Sequence, residues 1–152
     1  MIWKVIKWIL VLACMMMIFC FSADTADESD LKSNHIIVSI AEFLAGKSLS
    51  PEEREEKIET YVVLVRKGAH FSIYLLLGLL VLGLVKEYKV IDWKWMFLSF
   101  VFCFFYACSD EVHQLFVPGR SGNIIDVGID SLGSYFGILI YDLYYRIRRK
   151  YE

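Results

Sequence analysis

The sequence predicts an all-α polytopic membrane protein, with four transmembrane helices and short amphipathic helices in the first outer loop. Three observations lead there. Hydrophobic residues make up 57% of the 152-residue chain and charged residues 22%, and the two kinds are segregated into blocks. The apolar blocks are long enough for a hydrocarbon core about 30 Å thick, which takes roughly 20 helical residues to cross. Lys and Arg gather where those blocks end. A net charge of −2 gives no sign of a nucleic-acid partner, and the length suits one membrane domain over 1–152.

The first crossing is expected at about 3–21, opening after Trp3 with Lys4 and Lys7 at its start. A basic start and an apolar run also describe a signal peptide. Ser22-Ala23-Asp24 offers no clean small-x-small site, and almost no apolar run precedes the Val11-Leu12-Ala13-Cys14 lipobox-like stretch, so a retained helix is preferred. Cys14, Cys20, Cys103 and Cys108 all fall inside apolar blocks, which reads as small packing residues rather than a disulfide framework.

Residues 22–65 form a long acidic outer loop in which two short helices are expected. Ile36, Ile37, Ile40, Phe43 and Leu44 recur at helical spacing, as on a helix lying along a membrane surface. Ser50-Pro51-Glu52-Glu53 is a helix start with a capping box, and that helix can continue into the second crossing at about 69–86. The Trp93-Lys94-Trp95 anchor opens the third crossing, about 93–109. Pro118-Gly119 is a turn, and the fourth crossing spans about 124–145 before a basic tail. Basic residues crowd the membrane edges at both chain termini and at 86–94, which predicts both termini in the cytoplasm.

Three helices carry polar faces at the opposite, outer end. His70, Tyr74 and Gly78 share a face of the second crossing; Tyr106, Asp110 and His113 share one on the third, with Glu111 and Gln114 beside it. Asp126, Asp130, Gly133 and Gly137 line the fourth. Asp130 lies about two turns in, roughly 9 Å from the helix start by rise per residue. A carboxylate at a helix centre costs about 2.5–3.5 kcal/mol on insertion scales, so these faces are expected to converge inside the bundle. Arg66, Lys67, Arg120, His70 and His113 are the candidate partners. His70, Asp110 and His113 offer zinc-type donors, but nothing in the spacing favours metal over a hydrogen-bonded network, so no metal and no cofactor is expected. Gly133-x-x-x-Gly137 permits close helix approach, either within one subunit or between copies in a homo-oligomer.

These residues resemble a known family. Arg66-Lys67-x-x-His70-Phe71-x-x-Tyr74, the stretch Tyr106-x-x-x-Asp110-Glu111-x-His113-Gln114-x-Phe116-x-Pro118-Gly119-Arg120, and Asp126-Val127, Asp130 and Gly133-x-x-x-Gly137 are similar to motifs of the VanZ-like membrane proteins. Phe21-Ser22, Ser29 and Ser33 extend the likeness over nearly the whole chain, and Asp24 stands where the family often has Gln. The resemblance implies a bacterial cytoplasmic-membrane protein of a family named for a member associated with resistance to teicoplanin, a lipid-tailed glycopeptide. It implies a phenotype and no reaction.

Three functions are compatible with the pattern. The first is an outward polar site for a lipid-linked cell-wall precursor or an anionic lipid headgroup, built from Arg66, Lys67, His70, Tyr74, Tyr106, Asp110, Glu111, His113, Gln114, Arg120, Asp126 and Asp130. The second is a membrane hydrolase or transferase with His113 or Glu111 as base, Asp110 or His70 as its partner and Arg120 as oxyanion donor. The third is an oligomeric lipid or proton-coupled transporter routed through His70, Asp126 and Asp130.

Overall fold

In the computed structural model, which describes residues 1–151, the chain forms five helices: α1 (Ile2–Ser22), α2 (Ala26–Ala45), α3 (Pro51–Val85), α4 (Trp93–Gln114) and α5 (Ile124–Tyr151). No strand occurs among the described residues. Four helices, all but α2, are long and apolar enough to cross a membrane. Their outward positions hold Trp3, Leu12, Met16, Phe97, Phe105, Ile140 and Leu143, exposed apolar side chains suited to lipid contact.

Local chemistry sets the boundaries. Thr25 and Glu28 form a reciprocal capping box at the start of α2, and Gly46 ends that helix in the left-handed region at φ 65°. Ser50 and Glu53 do the same for α3, with Pro51 at its first position. Asp92 caps α4 by accepting from the Trp95 backbone N–H at 3.1 Å.

The outer loop holds the two expected helices, the second of them continuous with the crossing as its capped start allowed. The first runs 20 residues, and the second is the first part of α3. No proline interrupts the chain between Glu52 and Val85, so α3 runs 35 residues, roughly 50 Å at the α-helical rise. Its polar N-terminal part therefore extends past the apolar thickness. α4 likewise continues to Gln114, because its last turns carry Asp110, Glu111 and Gln114 inward rather than into a loop. α2 packs against α3 through Ser33 and Ile37, while Ile36, Ile40, Phe43 and Leu44 remain exposed.

α3 is the hub of the bundle, and its tightest pairing is with α5. A Cβ at Gly133 would collide with the Phe71 carbonyl, one at Gly137 with the Leu75 carbonyl, and one at Gly78 with the Ser134 carbonyl. The Gly133/Gly137 face is thus occupied within the subunit, and the oligomer contact considered for it is not available there. Val11, Cys14, Ile18, Tyr74, Leu77, Val81, Cys103 and Ala107 form the core where α1, α3 and α4 meet. All four cysteines are free, Cys14 and Cys103 as buried packing residues.

The start of α1, the end of α5 and the α3–α4 connection lie at one end of the bundle, where Lys7 Nζ reaches the Gly83 carbonyl and Lys86 lies over the Tyr145 ring. The α1–α2 and α4–α5 connections meet at the other end, where the Ala26 N–H donates to the Pro118 carbonyl. That second end carries the polar faces.

Candidate functional site

Helices α3, α4 and α5 bring four ionisable side chains together below this end. One ligand-type atom each from His70, Asp110, Glu111 and Asp130 lies within 4.8 Å of the others. The carboxylates are deeply buried: Asp130 is 0% exposed, Asp110 5% and Glu111 6%. His70 Nδ1 stands 3.4 Å from Asp130 Oδ1, in ion-pair range but not aligned as a hydrogen bond. Glu111 accepts from the Asn123 backbone N–H at 2.8 Å and from Gln114 Nε2 at 3.4 Å. By contrast both Asp130 oxygens and Asp110 Oδ2 have no hydrogen-bond partner.

Three cations line the same hollow as His70. Lys67 pairs with Asp126 at 2.6 Å and Arg66 with Asp30 at 3.1 Å. Arg120 donates to two backbone carbonyls, Asp24 at 3.1 Å and Phe21 at 3.3 Å, closing the end of α1. It forms no carboxylate ion pair among the described residues. Burial, and then the nearby Arg66 guanidinium, pushes the Arg120 pKa below its ordinary value. Two guanidinium groups set close together favour an anion between them.

Two hollows meet at these cations. One, about 400 Å³, is polar and is lined by Asp30, Arg66, Lys67, His70, Gln114, Arg120 and Asp126 among others. The other, about 290 Å³, is a mainly apolar cleft between α1, α2 and α3, walled by Ile18, Phe21, Ile36, Val65 and Ile73. Its polar end is formed by Ser22, Tyr74, Asp110 and Arg120. Arg66, His70 and Arg120 belong to both.

Two candidate residues are placed elsewhere. His113 stacks on Phe19 of α1, ring centroids 4.5 Å apart, outside the four-residue cluster, so the His70–Asp110–His113 zinc-type set does not assemble. Tyr106 directs its hydroxyl to the Met15 carbonyl of α1 at 2.7 Å, a helix-to-helix tie. Asp30 and Asn123 join the site although no sequence motif marks them as site residues. Asn123 accepts from the Ile125 N–H through Oδ1 while offering its own N–H to Glu111. An Asn just before an apolar run is a helix-cap signal that points to it. Asp30 meets Arg66 across 36 residues of sequence, and no local pattern announces such a contact.

The fold and this end of the bundle define a polytopic helical membrane protein with ionisable groups concentrated at one membrane edge. The chain belongs to the VanZ/LLP1 family, whose model matches residues 7–145. No curated protein and no solved structure gives a match.

Proposed function

We propose that this protein is a bacterial cell-envelope protein that binds an anionic, lipid-linked ligand at the polar end of the bundle, facing away from the cytoplasm. The observation that carries this reading is the pairing of the two hollows. A mainly apolar cleft of about 290 Å³ has Arg66 and Arg120 in its lining, and both also line the polar hollow. A lipid phosphate seated there would accept charge-assisted hydrogen bonds from both guanidinium groups while its chain follows Ile18, Ile36 and Ile73.

The orientation follows from the basic residues at the terminal end, among them Lys4, Lys7, Lys86, Lys89, Lys94, Arg146 and Arg149, which favour the cytoplasmic side. The polar end then lies where glycopeptides meet lipid-linked cell-wall precursors. Holding such a precursor or an anionic headgroup would reduce access of teicoplanin, in keeping with the phenotype for which the VanZ family is named.

The test is expression in a glycopeptide-susceptible Gram-positive host. Wild type should lower teicoplanin susceptibility, and Arg120→Ala and Arg66→Ala should restore it at equal membrane abundance. Unchanged susceptibility across wild type, variants and empty vector would contradict the role in resistance.

A further inference from the structure

The geometry points to a divalent-cation site formed by Asp110, Glu111, Asp130 and His70, below the cationic rim. Three carboxylates and one imidazole, contributed by three helices, place their donor atoms within 4.8 Å of one another. Donors at the roughly 2.0–2.6 Å bond lengths of hard divalent ions stand up to about 4–5 Å apart across the ion, so the group is nearly at coordinating size without rearrangement of the helices.

The deficit of protein partners is the second observation. Asp130, 0% exposed, has no hydrogen bond at either oxygen, and Asp110 Oδ2 has none. Tyr74 Oη and Ser22 Oγ are buried beside the Asp110 carboxyl and close enough to interact with it, though neither makes a hydrogen bond of full geometry. Buried polar atoms ordinarily find partners, and several unmatched ones around one point indicate a group that belongs between them. His70 is the sole side-chain cation within ion-pair distance of Asp130 among the described residues, and it is half-buried. A dication neutralises gathered carboxylates that one imidazole cannot.

Carboxylate oxygens with a single imidazole suit Mn²⁺ or Zn²⁺ and disfavour soft monovalent copper. Glu111 is held by Asn123 and Gln114, which orient its carboxylate as outer partners orient metal ligands. His70 also lines both hollows, so an ion here would sit within reach of an anion at Arg66 and Arg120 and replace the repulsion of bare carboxylates with attraction. The ion would be held whether or not a lipid enters the cleft.

The experiment uses full-length protein purified in detergent, stripped with EDTA, and titrated with Mn²⁺ by electron paramagnetic resonance and with Zn²⁺ by calorimetry. Metal content before stripping is measured by plasma mass spectrometry. About one equivalent of Mn²⁺ or Zn²⁺ should bind, with affinity reduced at least tenfold in Asp130→Asn and in Asp110→Asn. Asp142→Asn, a buried carboxylate elsewhere on α5, should bind as wild type does. Absence of stoichiometric binding by wild type overturns the assignment, and so does equal affinity in wild type, Asp110→Asn and Asp130→Asn. Wild-type binding is decisive even if a variant fails to fold. Loss of the site would leave the susceptibility effect of Arg120 as a separate measurement.

Discussion

The two ends of the bundle treat their carboxylates differently. At the terminal end, Glu87 meets Lys7, and Asp142, only 9% exposed, accepts from Arg146 Nε at 2.7 Å one helical turn away. At the other end Asp130 and Asp110 are buried as deeply or more so, yet they are gathered against one another with His70 as their cation. Burying a charge costs several kcal/mol per ion unless it is compensated, so pairing is the arrangement that serves stability. Gathering like charges serves it poorly and is the mark of a place where something else is bound.

That contrast depends on α3 and α5 keeping register along their whole seam. Gly137→Leu should have the largest effect, since the new side chain meets the Leu75 carbonyl and cannot be accommodated by a rotamer change. Overpacking of this kind costs about 1–3 kcal/mol, more where backbone blocks relaxation, and should abolish the monodisperse peak in fluorescence-detected gel filtration. A normal profile would mean that the seam tolerates separation and that His70 need not meet Asp130.

The next largest effects should have opposite signs at the two ends. In metal-free protein, Asp130→Asn removes like-charge repulsion and should raise the melting temperature, by an amount equivalent to about 1–2 kcal/mol. Asp142→Asn strands part of the Arg146 partnership and should lower it by a similar or smaller amount, since Arg146 is largely exposed. Destabilisation by both substitutions alike would erase the distinction between gathered and paired carboxylates.

The smallest effect belongs to Lys7→Ala. The hydrogen bond from Lys7 holds the Glu87 carboxyl below its ordinary pKa. A depressed carboxylate pKa contributes stability that is present above the unfolded-state value and is lost as pH falls through the folded-state value. The difference in melting temperature between wild type and Lys7→Ala should therefore be positive at neutral pH and shrink as pH falls below about 4. A difference independent of pH would mean that the pair contributes through packing alone.

The crossings could be read from the sequence because apolar block length and flanking charge are local properties, and α1 and α4 begin within a residue or two of expectation. The extent of α3 was legible only in part: Ser50-Pro51-Glu52-Glu53 marks its start, but whether it joins the crossing depends on the absence of a break across Thr60 to Ala69. Which polar residues meet was harder to see. Asp110 and His113 are three residues apart, about 60° out of phase on a helix of 3.6 residues per turn. Glu111 lies about 100° from Asp110 on the other side; that side faces the cluster, while the side of His113 faces Phe19 of α1. Periodicity reveals a face but not the neighbour that covers it. The same limit applies to Gly133 and Gly137, whose spacing announces close packing without naming α3 as the partner.

Binding of an anionic lipid at the polar end is tested by native mass spectrometry of the purified protein with polyprenyl phosphate and, separately, with zwitterionic phosphatidylcholine. A one-to-one adduct with the phosphate lipid should form and resist dissociation, be weakened at least tenfold by Arg120→Ala together with Arg66→Ala, and have no counterpart with phosphatidylcholine. Equal retention of the two lipids, or retention unaffected by the double substitution, would contradict it.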